Sequence, residues 1–296
     1  MKNSKDISLI KYYTKHRMMI NFVLIMCMVI IAGIYVRITR QKFHLIHCMD
    51  VGNTGDIVSS AGNYFWFPNP VYHDIGSVDY SLIKPNDFVI FSGGGLIDQN
   101  NHWNRTINKL CQSNRYCYAW GIGFNKHRTN RGQNKLSKID LTLFYRAGIR
   151  DAVTQTKHLP CSSCMLKQFD EPYTIKRDIG VLEHVHFPIK LNGSFDTIKN
   201  NRPIDEIIRF IGESKRIVTN TYHCLYFATL SEKPVVLYER FSNKFDRMPF
   251  PIVDYSGDLE KDFEKHQVIP HYLRECRRNN KGFYNSVMFD CMFRLP

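Results

Sequence analysis

The stretch Phe88-Val-Ile-Phe-Ser-Gly-Gly-Gly95 decides the fold class, because a short apolar run ends abruptly in three glycines. Its first four residues predict a buried strand, and residues 96–111 after the glycines predict a helix. Residues 43–49 and 116–120 are further apolar runs that end at glycine-containing loops, and residues 57–65 predict another helix. Strands that end in glycine and lead into helices are typical of a parallel, doubly wound sheet, in which ligands bind at the carboxyl ends of the strands.

A second unit of the same kind begins after Asp151. Its strand-like and helix-like segments alternate, at residues 179–187, 204–212, 216–219, 223–230 and 234–238. We therefore predict an α/β protein with two Rossmann-like doubly wound domains, residues 43–150 and 151–296. The sequence after residue 246 shows no pattern that assigns its structure.

The N-terminal region contains a long apolar stretch whose only polar outlier is Asn21. Residues 18–36 carry no charge, and these 19 residues approach the ~20 that a helix needs to cross a bilayer. A buried core helix would show an amphipathic stripe, and a signal peptide would end in small residues at a cleavage site. The stretch has neither feature, so it predicts a transmembrane helix.

The excess of Lys and Arg before this helix favours a cytoplasmic N-terminus. We predict a single-pass type II membrane protein with a cytoplasmic tail (1–17), the helix (18–36) and a stem (37–42). The globular part would then lie in the Golgi or endoplasmic reticulum lumen, or otherwise outside the cytoplasm.

Charge and cysteine content narrow the classes of function. The first 42 residues hold eight of the 40 Lys and Arg and one of the 27 acids, so the rest of the chain carries +6 of the net +13. This remainder suits an anionic substrate and has no basic block or motif that indicates nucleic acid.

Eight of the nine cysteines follow the apolar stretch, which permits disulfides. Asn104-Arg-Thr106 and Asn192-Gly-Ser194 are glycosylation acceptors if the host is eukaryotic.

Four motifs follow one another along the chain: Asn53-Thr-Gly-Asp56, Gly93-Gly-Gly95, Gly148-Ile-Arg-Asp151 and residues 219–246, TNTYHCLYFATLSEKPVVLYERFSNKFD. In the last motif a histidine opens a predicted helix, which is followed by a strand and an aromatic-x-x-Lys ending. This set resembles the polysaccharide pyruvyl transferase family. The resemblance implies two Rossmann-like domains in a glycosyltransferase-B-like arrangement. It also implies transfer of the enolpyruvyl carbons of phosphoenolpyruvate to two sugar hydroxyls, which forms a cyclic ketal and releases phosphate.

The resemblance also assigns roles to individual residues. Arg150 would hold the anionic donor, His223 would protonate the enol carbon, and Lys244 would pair with the phosphate. A histidine at a helix start also lies near backbone N–H groups that favour a bound anion. Asp56 is the candidate base for the acceptor hydroxyl. The other donor-binding candidates are Asn53, Gly93, Gly94, Gly95, Thr221 and Tyr222. The expected partners are an anionic donor and a glycan acceptor, with no cofactor and no resident metal.

The chain departs from the family pattern at one point. Most members carry Arg-Leu-His, whereas this chain has Thr221-Tyr222-His223, which is similar to a subgroup with Asn-Ser-Tyr-His. The missing arginine removes a bidentate contact to an anion. Two alternatives therefore stay open: a nucleotide-sugar-dependent glycosyltransferase of the same architecture, and a non-catalytic glycan-binding membrane protein.

Some of these candidates also have a purely structural interpretation. Three glycines after a strand suit either a bound phosphate or the turn into a helix. Asp56 is equally typical of the N-cap of the predicted helix 57–65. Arg150 would also suit an ion pair with Asp151, although its place in the motif favours a ligand contact.

The pair Cys161-Ser-Ser-Cys164 is another point of similarity to that subgroup. Its spacing is compatible with half of a zinc site, a redox pair or a local disulfide. A zinc site would need further ligands from His158, His184 or His186, so we favour the disulfide.

Histidines and aromatic residues near the predicted strand ends complete the candidates. His184 and His186 alternate on a predicted strand and would point to one face, although such pairs usually lack a function. A sugar ring would stack on Tyr118, Trp120 or Phe124, although packing in the core is the expected role of these rings.

Overall fold

A computed structural model of the chain describes residues 19–20, 22–23, 25–28, 41–50, 52–98, 100–126, 138–152 and 156–293. Most of the predicted transmembrane helix 18–36, the whole tail 1–17 and most of the stem lie outside these residues. The described residues between 19 and 28 are helical, and their side chains are exposed. Among the described residues, no helix is both long and apolar enough to cross a membrane.

The first sheet contains six parallel strands in the order β2-β1-β3-β4-β5-β6. They are β1 (Phe43–His47), β2 (Pro70–Asp74), β3 (Phe88–Ser92), β4 (Tyr116–Ile122), β5 (Arg146–Ile149) and β6 (Lys157–His158). The residues of β1, β3 and β4 are all buried, because both faces of a parallel sheet are covered. Sequence analysis missed β2, whose partly exposed residues form no apolar run.

The second sheet contains five parallel strands in the order β11-β10-β9-β7-β8. They are β7 (Arg177–Glu183), β8 (Asp196–Lys199), β9 (Ser214–Thr219), β10 (Val235–Leu237) and β11 (Val253–Asp254). In both sheets the third strand along the chain pairs with the first, so the strand order reverses between β1 and β3 and between β7 and β9. Doubly wound sheets bind ligands at such switch points. The prediction of two α/β units with parallel sheets is confirmed.

The α-helices of the described residues after residue 41 are α1 (Thr54–Ile57), α2 (Asn101–Ser113), α3 (Ile204–Gly212), α4 (Tyr222–Leu230), α5 (Leu259–Lys265) and α6 (Tyr272–Phe293). The predicted helix 57–65 is wrong, because α1 ends at Ile57 and a separate 3₁₀ turn follows at Ala61–Asn63. The predicted helix 96–111 begins later, where the Asn100 side chain accepts a hydrogen bond from the Trp103 N–H. Ile97 instead pairs with Phe124 in an isolated bridge.

The C-terminal segment, which the sequence left without an assigned structure, ends in the long helix α6. Its residues Phe283 and Val287 pack in one core cluster with Phe43 and Trp120 of the first sheet. The Trp120 indole N–H also donates to Asn280 Oδ1 at 2.7 Å. Both α6 and β6 therefore contact the first sheet, although they follow residue 150, and the division at residues 150/151 stays a prediction.

Candidate active site

A cleft opens where the carboxyl ends of the two sheets face each other. The N-cap and first turn of α1 contribute Asn53 and Asp56, the loop after β3 contributes Gly95, and the start of α4 contributes His223. The cavity has about 490 Å³ of empty space, part of it open to solvent. Its lining includes most of the predicted site residues: Asn53, Asp56, Gly95, Arg150, Thr221, Tyr222, His223 and Lys244. Loops from both switch points therefore build one site.

His223 lies in the first turn of α4 and lines the cleft. The side chain of Thr221 caps this helix by accepting from the Cys224 N–H at 3.3 Å. The imidazole is only 7% exposed, and its Nε2 lies 3.8 Å from the Cys161 sulfur. Burial lowers the pKa of His223 well below 6.5, and the charges of Arg150 and Lys244 lower it further. The imidazole ring is therefore neutral at pH 7.

Arg150 follows β5 and is 2% exposed. Its guanidinium lies 3.7 Å from the centre of the Tyr222 ring, a cation–π contact that fixes its plane. Two of its nitrogens, Nε and Nη1, are buried without a hydrogen-bond partner. The neighbouring Asp151 accepts from the Phe124 N–H at 2.6 Å, and burial raises its pKa to about 6. Arg150 is thus a buried cation with unused donors, as an anion-binding residue requires.

Asp56 and Lys244 carry opposite charges and line the same cleft. Asn53 Nδ2 donates to Asp56 Oδ2 at 2.7 Å, and burial raises the pKa of Asp56 while Lys244 and Arg150 counteract this rise. The Lys244 ammonium lies over the Phe241 ring at 4.7 Å, and burial lowers its pKa to about 8. The predicted N-cap role of Asp56 is wrong, because Asn53 holds the cap position and Asp56 lies inside the first turn.

The profile of the polysaccharide pyruvyl transferase family matches residues 4–242. The chain belongs to this family. It is therefore a transferase, and a glycan acceptor is consistent with a family that modifies polysaccharides. No curated protein matches the sequence. The crystal structure of a functionally uncharacterised protein from Klebsiella pneumoniae is similar, with 14% identity, a TM-score of 0.46 and coverage of 75% of this chain and 91% of that chain.

Two glycines of the pyruvyl transferase cleft have a function that sequence analysis missed. A Cβ on Gly55 would lie 2.2 Å from His223 Nδ1, and a Cβ on Gly123 would lie 2.4 Å from Arg150 Nε. Each glycine therefore leaves room for a candidate residue from a distant segment. Gly55 lies in α1 and Gly123 follows β4, but the sequence does not show which distant side chain fills the space.

Of the three glycines after β3, Gly93 and Gly94 shape the turn and Gly95 lines the cleft. Gly93 and Gly94 have φ values of +59° and +70°, which favour glycine, and a Cβ on Gly93 would lie 2.2 Å from the Ser59 carbonyl oxygen. They serve the turn after the strand, and neither lines the cavity, whereas Gly95 does.

The structure contradicts the predicted disulfides of this pyruvyl transferase family member. All nine cysteines are free. Cys161 and Cys164 lie in one 3₁₀ turn, but the Cys161 sulfur faces His223 while the Cys164 sulfur accepts from Asn280 Nδ2. The predicted local disulfide is therefore wrong, because the two sulfurs have different neighbours. Within the described ranges, no group of three or more His, Cys, Asp or Glu is placed to hold a metal ion.

The two histidines predicted to alternate on a strand lie elsewhere. Strand β7 ends at Glu183, so His184 and His186 lie in the loop after it, and of these two only His184 lines the cleft. Tyr118 and Trp120 are fully buried in the core, as expected.

The two glycosylation triplets have different exposures. Asn104 is fully buried in α2, where it hydrogen-bonds Asp98, so the predicted glycosylation there is wrong. Asn192 is exposed, and glycosylation there stays a prediction.

Proposed function

We propose that this protein transfers the enolpyruvyl carbons of phosphoenolpyruvate to two hydroxyls of a glycan. The observation that carries the proposal is the convergence of Arg150, Lys244 and His223 on one cleft together with Asp56. The buried Arg150, the partly buried Lys244 and a helix start attract an anion, and the Asp56 carboxylate lies in the same cleft, where it can accept a hydroxyl proton. The family membership of the chain supports the same reaction.

The donor would be bound by its two anionic ends. Arg150 has unpaired buried donors for the carboxylate, and the Lys244 ammonium suits the phosphate. Tyr222 stands where most of the family has an aliphatic residue, and its ring supports the guanidinium of Arg150. This contact orients Arg150, at a site where Thr221 replaces the arginine of the family's Arg-Leu-His motif.

The acid–base roles follow from the positions of His223 and Asp56. His223 would donate a proton to the methylene carbon of the donor while the first sugar hydroxyl attacks the adjacent carbon and loses its proton to Asp56. The second hydroxyl then attacks the same carbon and displaces phosphate, which leaves with that hydroxyl's proton. An anionic donor offsets the charges of Arg150 and Lys244, so its binding raises the pKa of His223 and supplies the required acid.

Substitution of the acid and the phosphate-binding residue tests the proposal. The variants His223→Ala and Lys244→Ala are assayed for ketal-linked pyruvate on glycan, with His271→Ala and Lys176→Ala as controls. His271 lies on the surface beside α6, and the Lys176 side chain is 62% exposed. We expect both cleft variants to lose at least about 100-fold in kcat and both controls to stay active. Full activity in either cleft variant excludes the assigned role.

A donor screen separates this function from nucleotide-sugar transfer. We expect phosphoenolpyruvate to raise the melting temperature of the full chain and to lose this effect in Lys244→Ala. Stabilisation by a nucleotide sugar, without any by phosphoenolpyruvate, would contradict the proposed donor.

We also propose that residues 18–36 anchor the enzyme as a type II membrane protein. The absence of charge over 19 residues and the exposed apolar side chains of the described ones support this anchor. The chain should then stay with membranes in alkaline carbonate, and its globular part should resist protease in sealed vesicles. Release by carbonate would refute the anchor, and digestion in sealed vesicles would refute the orientation.

A further inference from the structure

A second cavity adjoins the donor cavity and opens on its other side. Both cavities are lined by Asn53, Asp56, Gly95, Asn125, His184 and Lys244, so they form one continuous cleft. The second cavity adds Asp50, Trp103, Leu96 and Cys48 to these residues. Asp56 and Lys244 therefore stand at the junction between the two.

The two sides of the cleft differ in charge. The Arg150 guanidinium lines the donor cavity but not the second one. Asp50 lines the second cavity but not the donor cavity, and it is exposed. A trianionic donor is attracted by the first side and repelled by the carboxylate of the second, whereas a neutral polyol is not repelled by either.

The second cavity also combines an aromatic ring with polar side chains. Trp103 lies in the first turn of α2 and is only partly buried against the core, so part of its indole faces the cavity. The C–H face of a pyranose packs well on such a ring, while its hydroxyls donate to carboxylates and amide oxygens. Asp50 and Asn125 supply these polar groups.

We infer that the second cavity binds the acceptor, a neutral hexopyranose ring of the glycan, with Trp103 against its apolar face and Asp50 and Asn125 beside its hydroxyls. This inference rests on the proposed function, because it takes the first cavity as the donor site. It places the reacting hydroxyls next to Asp56, the proposed base, and leaves Lys244 between acceptor and donor. The difference in charge between the two cavities thus directs the anionic donor to the first cavity and leaves the second cavity to the neutral acceptor.

Binding of simple glycosides tests the inference without any transfer reaction. The probes are methyl glycosides of glucose, galactose and mannose, observed by saturation-transfer NMR with the full chain in a detergent that contains no sugar. The variants are Trp103→Ala, Trp103→Phe and Asp50→Asn. Trp66→Ala is the matched control, because Trp66 is 68% exposed and its carbonyl accepts from Tyr284 of α6.

We expect at least one glycoside to bind the unaltered protein and Trp66→Ala, and to stay bound when phosphoenolpyruvate is added. Trp103→Ala and Asp50→Asn should each weaken glycoside binding about tenfold, while Trp103→Phe keeps most of it. Phosphoenolpyruvate affinity should stay within about twofold in both Trp103 variants, which also shows that the donor half is folded, and should stay equal or rise in Asp50→Asn, which loses a repelling carboxylate. If Trp103→Ala fails this folding check, Asp50→Asn decides the outcome.

Three results would overturn the inference: no glycoside binds the unaltered protein, phosphoenolpyruvate displaces the glycoside, or Asp50→Asn and a folded Trp103→Ala bind it unchanged. Failure of the proposed function looks different. In that case phosphoenolpyruvate neither binds nor reacts, while the glycosides still require Trp103 and Asp50. Conversely, transfer by the unaltered enzyme with an unchanged acceptor KM in Asp50→Asn and a folded Trp103→Ala rejects the acceptor site alone.

Discussion

Lys244 is a charged group that the folded protein holds in an unfavourable environment. Burial lowers its pKa from an ordinary value of 10.5 to about 8, despite the opposing charge of Asp56. The substitution Lys244→Met removes the charge and keeps an unbranched side chain near the Phe241 and Phe245 rings. We therefore expect a protein that is inactive but more stable.

The magnitude follows from the pKa difference. One pKa unit corresponds to roughly 1.4 kcal/mol, so a charged Lys244 lowers the free energy of unfolding by about 3 kcal/mol at pH 7. Loss of the contacts with the two rings offsets about 1 kcal/mol, which leaves a gain of about 2 kcal/mol for Lys244→Met. Below pH 8 the ammonium is charged in both the folded and the unfolded state, and the full penalty is present. Between pH 8 and 10.5 only the unfolded state keeps the proton, so the gain falls to about 1 kcal/mol at pH 9.

Urea unfolding of both proteins at pH 7 and pH 9 measures this difference. Lys176→Met is the matched control, because its side chain is 62% exposed and its ion pair with Glu213 lies at the surface. It should change the free energy of unfolding by less than about 1 kcal/mol. A Lys244→Met protein that is less stable than the unaltered one at pH 7 would refute the reasoning, as would a gain that does not shrink at pH 9.

Three further predictions concern the cleft and the C-terminal helix. Gly55→Ala should lower kcat/KM at least about 100-fold, because the new Cβ would displace His223. Gly282→Ala is the control and should leave kcat/KM unchanged, because no atom outside its own stretch of helix lies within 4 Å of the new Cβ. Equal activities of the two variants would contradict the close approach of Gly55 to His223. Phosphoenolpyruvate binding at pH 7 should take up a proton, because the anion raises the low pKa of His223, and its affinity should therefore increase as pH falls. Titration calorimetry in two buffers measures this uptake, and its persistence in His223→Gln would rule out this residue as its source. Asp290→Ala should lower the free energy of unfolding by about 2–3 kcal/mol, because the buried carboxylate accepts two hydrogen bonds from Arg146; an unchanged urea midpoint would show that the pair does not hold α6 to the first sheet.

Features that depend on neighbouring residues could be predicted from the sequence. The pattern of residues 204–212 predicted a helix, and α3 has the same bounds, because its apolar positions recur on one face. Buried parallel strands also show themselves as short apolar runs that end in glycine. The N-cap assigned to Asp56 was wrong, because it assumed that the helix starts after this residue rather than at Thr54.

Features that depend on distant residues required the tertiary structure. The sequence of α6 does not show that Phe283 and Val287 pack on the first sheet. The spacing of Cys161 and Cys164 permitted a disulfide, but His223 and Asn280 lie beside the two sulfurs instead.

The sequence by itself determined the two parallel α/β units, the family and the identity of the candidate residues, since local periodicity and short motifs encode all three. Only the tertiary structure decided the pKa values of these residues and the side chains that surround them. Asp56, Arg150, His223 and Lys244 come from four separate segments, and their pKa values depend on one shared, poorly solvated cleft. Desolvation and charge–charge interactions depend on distance in space, and a linear sequence does not contain these distances.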